Sequence, residues 1–419
     1  MKKPELLIPA GSLQVLKAAV VYGADAVYIG GESFSLRAGA KNFTNDEIRQ
    51  GIAFARERGV KVYITANIFA HNADLAEIEK YFKELEEIRP DGVLISDPGV
   101  FMIARRAMPS VDIHISTQAN NTNYETFNFW YALGVRRVVC ARELSLEEIS
   151  QIRKNIPADM EIEAFVHGAM CISYSGRCLL SAYMTGRSAN EGACTHPCRW
   201  KYALEEESRP GEYMPVYENE RGTYIFNSKD LCMIEYLPQM IEAGIDSLKV
   251  EGRMKSLLYA ASVARTYRMA IDDHFSEISG GPGRKYSENI AFYKSEISKF
   301  TYREYTTGFF FGKPSESAQI YNESTYIKEW VYLGMITEDK KQISGRTYYG
   351  LEQKNKFCMG DTVEIMTPDG RNIQAAVLDM EDDKGNKISS CPHPGMHFYV
   401  DLGAELEAYD IIRMNKASV

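Results

Sequence analysis

Residues 12–31 read SLQVLKAAVVYGADAVYIGG. Apolar side chains recur at three- and four-residue steps as far as Val21, then come a glycine, a short link and a second apolar run from Ala26 to Ile29. That order spells an amphipathic helix, a left-handed glycine terminus and a strand. Gly59-Val-Lys, Gly134-Val-Arg and Gly244-Ile-Asp repeat it. Apolar strands are expected at 5–11, 24–31, 60–69, 91–97, 112–120, 136–143 and 161–168, with two more at 223–230 and 246–253. Repeated βα units build a parallel sheet, and about eight of them close it into a barrel. A doubly wound sheet competes, but PAGSLQVL (9–16) is not its GxGxxG phosphate turn. The expected fold is α/β, a TIM-like (β/α)8 barrel, and one of the last two candidate strands falls outside it.

Near residue 276 the pattern changes. SGGPGRK (279–285) reads as a linker, KYSENIAFYKSEISKF (285–300) as a helix, and TGFFFGKP (307–314) as a turn-bounded aromatic segment. Beyond residue 328 short alternating strands with turns such as Pro368-Asp-Gly point to a small antiparallel β-barrel. The expected division is a barrel domain at 1–275 with a cysteine-rich insertion near 170–232, a helical and aromatic connector at 276–329, and the small β-barrel domain at 330–419.

The chain of 419 residues is 45% hydrophobic and 25% charged, an ordinary globular balance. No apolar run is long enough to span a membrane, and MKKPELLIPAG lacks the continuous apolar centre of a signal peptide, so the expected location is the cytoplasm. A net charge of −9 argues against broad polyanion binding but leaves room for a local basic patch.

Strand C-termini form the chemical mouth of a βα barrel. Reading them off gives Glu32, Asn67, Asp97, Gln118, Asn120, Arg142, Glu143, His167, Lys249, Glu251 and Arg253, with Arg37 close behind the second strand. His167, Glu163 and Glu251 are the candidate catalytic groups. Arg37, Asn67, Gln118, Arg142, Lys249 and Arg253 are the candidate substrate-binding groups, and such a set of cations suits a small anion. Neither HExxH nor GxSxG occurs.

Five of the eight cysteines lie between residues 171 and 232: Cys171, Cys178, Cys194, Cys198 and Cys232. In a reducing compartment such clustering points to a metal, a cluster or catalysis rather than disulfides. Thiolates converging from separate loops suit either zinc or an iron–sulfur cluster. The absence of tight CxxC pairs leans towards a cluster, and His196 keeps zinc open.

The stretch EAFVHGAMCISYSGRCLLS (163–181) carries Glu163, Phe165, Gly168, Ala169, Met170, Cys171, Gly176, Cys178, Leu180 and Ser181 in the spacing of the collagenase-like peptidase family U-32. The chain resembles that family further through residues 9–31, RSANEGACTHPCRW (187–200) and NSKDLCMIEYLPQMIEAGIDSLKVEGRMKS (227–256). The resemblance implies one of two activities: collagen degradation, or oxygen-independent hydroxylation by members that carry a four-iron four-sulfur cluster. The layout is most similar to the bacterial branch that 5-hydroxylates the wobble uridine of tRNA with prephenate as co-substrate. By that resemblance Cys171, Cys178, Cys194 and Cys232 are the cluster ligands, with Cys198 as an alternative. From their charge and their position at the strand ends, Arg37, Arg142, Lys249 and Arg253 are expected to neutralise the dicarboxylate. A peptidase, cysteine- or metal-dependent, is the second reading. A non-enzymatic RNA-binding or assembly subunit with a structural cluster is the third. The expected partners are tRNA, a small anionic co-substrate and either a second copy or a related family member, with no membrane.

Overall fold

A computed structural model describes residues 2–31, 34, 42–171, 173–175, 177–200, 203–205, 213–215, 229–313 and 326–416. Seven strands alternate with helices: β1 (Glu5–Pro9), α1 (Leu13–Val21), β2 (Ala26–Gly30), α2 (Asn45–Arg56), β3 (Lys61–Thr65), α3 (Leu75–Ile88), β4 (Gly92–Ile95), α4 (Pro98–Ala107), β5 (Ile113–Ile115), α5 (Tyr124–Ala132), β6 (Arg137–Val139), α6 (Leu146–Lys154) and β7 (Glu161–Ala169). Then come α7 (Leu180–Thr185), the hairpin β8 (Ala203–Glu205) and β9 (Tyr213–Pro215), β10 (Asp230–Cys232), α8 (Leu237–Glu242) and β11 (Ser247–Val250). Strands β1 to β7 pair in order and in parallel, and β11 bonds to both β7 and β1, so the barrel is closed with eight strands.

The glycine grammar is what makes this repeat possible. Gly23, Gly59, Gly134 and Gly244 sit at φ +100°, +70°, +88° and +85°, a left-handed backbone that ends each helix and turns the chain back to the sheet. At the front of α2 and α6, Thr44 with Glu47 and Ser145 with Glu148 form capping boxes that satisfy the first free N–H groups.

The surplus strand is the one before β11. Residues 223–228 lie outside the described set, and the strand found is β10, which runs antiparallel to the far end of β7. β7 has nine residues, long enough for its Gly168–Ala169 end to project beyond the barrel and offer β10 a ladder. β12 (Tyr305–Thr306) pairs with β10 in turn.

The chain divides into two compact units, one of residues 1–20, 24–255 and 303–325, the other of 21–23, 256–302 and 326–419. In this division residues 256–275 group with the second unit, and residues 276–329 are shared between the two. The reason is in the side chains. On α9 (Leu257–Ile278) the fully buried Arg265 bonds to Glu296 on α10 (Ile290–Glu296) and to the carbonyls of Thr367 and Arg371, all within the second unit. Arg303 instead pairs with Asp230 of the first unit, Nε to Oδ1 3.0 Å.

The second unit carries a seven-stranded antiparallel sheet: β13 (Trp330–Ile343), β14 (Arg346–Gln353), β15 (Thr362–Met366), β16 (Asn372–Ala376), β17 (Asp379–Asp382), β18 (His397–Asp401) and β19 (Ile411–Asn415). Leu333, Leu351, Val363, Ile365, Phe398, Val400 and Ile412 form its core. One buried charge knot ties this sheet to α9 and α10. Arg413 gives Nη2 to Glu296 at 2.7 Å and Nε to Glu364 at 2.8 Å, and Lys299 reaches Glu364 at 3.0 Å.

Breaking a buried pair strands a charge and costs about 3–5 kcal/mol. Arg413→Met is therefore expected to lower the unfolding free energy from urea titration by that order, while Arg371→Met on the exposed Asp369 pair leaves it within about 0.5 kcal/mol. Burial opposes ionisation of Glu296, but Arg413 and Arg265 outweigh it and hold the carboxyl down at about 2. A depressed carboxylate stabilises the fold above its unfolded pKa and loses that contribution as pH falls through its folded one. The unit should weaken between about pH 5 and 2 in acid titrations, and weaken less in Glu296→Gln.

Candidate functional site

Barrel interiors are usually filled with bulky aliphatic side chains. This one holds a polar column. Arg137 on β6 bonds to Glu5 on β1 and to Glu161 and Glu163 on β7, while Ser247 gives a hydrogen bond to Glu5 at 3.1 Å. Glu163 is fully buried and accepts from Lys249 Nζ on β11 at 2.5 Å. His114 packs edge-on to Tyr63, its pKa held well below the usual range by burial and by Arg137 and Lys249.

Above Lys249 the column opens into a cavity of about 160 Å³ at the C-terminal end of the strands. Its walls contain Asn67, Gln118, Arg142, Lys249, Glu251 and Arg253 from the expected strand ends, and several of them are held by neighbours. Asn67 gives its amide to Ser116 at 3.2 Å and to Gln118 at 3.1 Å. Arg253 bonds to Thr65 at 2.9 Å. Arg142 lies 4.0 Å over the Phe165 ring and donates to Ser175 at 3.1 Å and to Cys171 Sγ at 3.5 Å. Lys249 sits 4.6 Å from the Tyr28 ring, and burial lowers its pKa against the opposing pull of Glu163. Glu251 completes that wall. Arg37 lies outside the described residues.

Two residues expected to be catalytic stand elsewhere. Glu163 is below the cavity, committed to Lys249 and Arg137. His167 was expected to point into the mouth but is 1% exposed, with its ring 5.4 Å from Tyr305 and its backbone opposite Cys232. The cause is a bulge. Lys249 pairs with Phe165 and Val250 with His167, so Val166 is an extra residue that breaks the alternation Glu163, Phe165, His167. Gly168 is needed just beyond, because a Cβ there would meet the Glu251 carbonyl oxygen at 2.4 Å.

Cys171, Cys178, Cys194 and Cys198 all line the cavity and are unbridged. Thiols around one opening are the right donor chemistry for a cluster or a zinc ion. Cys232 stands one strand away, buried on β10 and outside the cavity wall. Among the described residues no three His, Cys, Asp or Glu side chains gather closely enough to hold a metal ion. Cys194 Sγ accepts from the His196 N–H at 3.4 Å and lies 4.0 Å from the imidazole Nδ1. Cys140 takes no part, since burial pushes its thiol up to about 12.

Sequence reading missed Tyr28, Thr65, Ser116, Phe165, Tyr174 and Ser175 as cavity residues. Tyr28 and Phe165 could have been found from inward alternation along their strands. The serines carry no such signal. Among the described residues no helix is long and apolar enough to cross a membrane.

Residues 11–320 match the domain described as Peptidase family U32, and residues 328–413 match the Peptidase family U32 C-terminal domain. The chain is 41% identical to tRNA hydroxylation protein P1 of Bacillus subtilis, over 99% of this chain and 96% of that protein. It is 38% identical to tRNA hydroxylation protein P of Escherichia coli, over 97% and 95%. It is 37% identical to an uncharacterized protease of Methanocaldococcus jannaschii, over 90% of each.

Burial holds the His167 pKa down at about 3, against an upward pull from Asp230. Its ring should stay neutral, with imidazole NMR shifts flat from about pH 8 to pH 5. A lowered histidine stabilises above its unfolded pKa and loses that stability as pH falls towards the folded one. A resonance titrating near 6.5 would place the ring in water instead.

Proposed function

The chain belongs to peptidase family U32, and on that premise we propose that it hydroxylates tRNA, as the prephenate-dependent, oxygen-independent 5-hydroxylation of wobble uridine. One observation carries the reading. Three cations, Arg142, Lys249 and Arg253, face a single cavity that also has aromatic walls and a set of thiols. Arg142 and Arg253 are placed to pair with carboxylates, and Lys249 adds a fixed positive charge between the Tyr28 and Phe165 rings. Asn67 and Gln118 offer hydrogen bonds to a planar substrate, and Glu251 is the carboxylate on the wall that would accept a proton. Glu163 is a positioning residue, since it acts by holding Lys249.

Cys171, Cys178, Cys194 and Cys232 would hold a four-iron four-sulfur cluster, with Cys198 as the alternative ligand and zinc as the alternative metal. Such a cluster, when bound, supplies electron transfer. A serine hydroxyl is a poor ligand for a soft metal. Cys178→Ser is therefore expected to lose most of the iron and the visible absorption after anaerobic purification, whereas Cys140→Ser keeps both.

A charge-assisted contact is worth about 1.5–3 kcal/mol, so Arg142→Ala and Arg253→Ala should each weaken prephenate about ten- to a hundredfold in calorimetry. In cells, nucleoside mass spectrometry should show 5-hydroxyuridine derivatives lost with the gene and reduced in both variants. Unchanged nucleosides in the deletion strain would end the hydroxylase reading. The Cys194–His196 pair supports peptide cleavage as a second reading. Peptide hydrolysis abolished by Cys194→Ala, with tRNA unaffected, is the result that would establish it.

A further inference from the structure

Around the cavity entrance the surface is unusually apolar. Of the fifteen large hydrophobic side chains exposed among the described residues, five lie between residues 174 and 200: Tyr174, Leu179, Tyr183, Met184 and Trp200. Leu179 and Tyr183 stand out, at 70% and 86% exposure.

The local packing forces them outward. Ser181 on α7 is buried and bonds to the Thr195 hydroxyl at 3.0 Å and to the Thr195 N–H at 3.1 Å, and Thr185 bonds to the same hydroxyl at 3.2 Å. With the Ser181–Thr185 face turned in against the cysteine-bearing loop, Leu179 and Tyr183, four residues apart, share an outward face. α7 packs against the turn Pro197–Arg199, and the Trp200 N–H bonds to the Pro197 carbonyl oxygen, so the second aromatic group borders the same platform. Tyr174 belongs to both the platform and the cavity wall.

Charge selects the occupant. The whole chain carries −9, yet residues 170–200 contain three arginines against one glutamate. Arg177 and Arg187 are exposed there, Arg177 lying 5.0 Å over the Phe69 ring. Exposed aromatic faces interleaved with arginines bind single-stranded nucleic acid, the rings stacking on bases and the cations meeting phosphates. A protein partner would call for apolar area without this reversal of sign.

We propose that this rim grips the single-stranded RNA on either side of the target nucleotide, with Tyr183 and Trp200 stacking on flanking bases while the target base turns out of the stack towards the cavity. The proposal rests on the tRNA reading above and adds the surface and the manner of binding. A base must leave its stack before buried groups can act on it, and a stacking platform beside the opening compensates for the neighbours it leaves.

The test uses the full chain and a short fluorescein-labelled single-stranded RNA with a central uridine, read by fluorescence anisotropy. Tyr183→Ala and Trp200→Ala should each weaken binding by about tenfold, and Tyr183→Ala, whose side chain is 86% exposed, should melt at the wild-type temperature. Arg187→Ala should reduce the slope of log affinity against log salt by about 0.7, one phosphate contact on a single strand. Cells carrying Tyr183→Ala should show reduced 5-hydroxyuridine derivatives. Binding and modification at wild-type level in all three variants would overturn the rim while leaving the tRNA reading intact. Wild-type RNA binding in the variants, with self-association lost in sedimentation, would assign the face to a protein interface instead. No RNA binding by the wild-type chain, with unchanged nucleosides in the deletion strain, would remove the tRNA reading and the rim together.

Discussion

Glu163 is the constraint around which the first unit is organised. A carboxylate with no exposure inside a barrel is unfavourable by several kcal/mol unless it is fully paired, and here it takes Lys249 from the strand that closes the barrel and Arg137 from the strand beside it. The pairing fixes which residues of β6, β7 and β11 face inward. It also holds the Lys249 amine in place at the cavity floor. The closure of the sheet and the charge of the site thus depend on one buried ion pair.

Beneath it the column continues through Arg137 to Glu5 and Glu161 and ends near solvent. This arrangement replaces much of the aliphatic filling of an ordinary barrel with a lattice in which charges of opposite sign alternate. Such a lattice is poor in net stability but strict in geometry, since a shift of any strand leaves a charge without its partner. Strictness is useful below a cavity whose cations must keep fixed positions. The second unit uses the same device, with Glu296 shared between Arg265 and Arg413. That sharing draws α9 out of the barrel's repeat and into the unit that follows.

The rim obeys the opposite rule. Around residues 171–200 the elements are short, α7 having six residues, and they are held by hydroxyl contacts such as Ser181 to Thr195 rather than by a core. Four thiols and Tyr174 are thereby left lining the cavity, with Arg177, Arg187 and Tyr183 exposed nearby in the chain. A rigid polar floor thus lies under a lightly built rim.

The barrel was legible in the sequence because its signals are local. A helix of the right period, a glycine that alone adopts φ near +90° without strain, and an apolar strand occupy about twenty residues, and the chain repeats them. The polar strand ends follow from the same local pattern: Asn67, Gln118, Arg142, Lys249, Glu251 and Arg253 line the cavity, whereas Asp97, Asn120, Glu143 and His167, expected on the same grounds, do not. Tertiary structure alone decided the rest. The bulge at Val166 turns His167 away and is invisible in a pattern of alternating residues, because an inserted residue changes parity without changing composition. Which of the last two strands closes the barrel depended on pairing between residues some eighty positions apart, Ser247 with Glu163. The unit boundary depended on where the buried Arg265 finds its carboxylate, thirty-one residues along the chain. Periodicity fixes what a segment prefers, whereas the partners of buried charges are chosen only when distant segments meet.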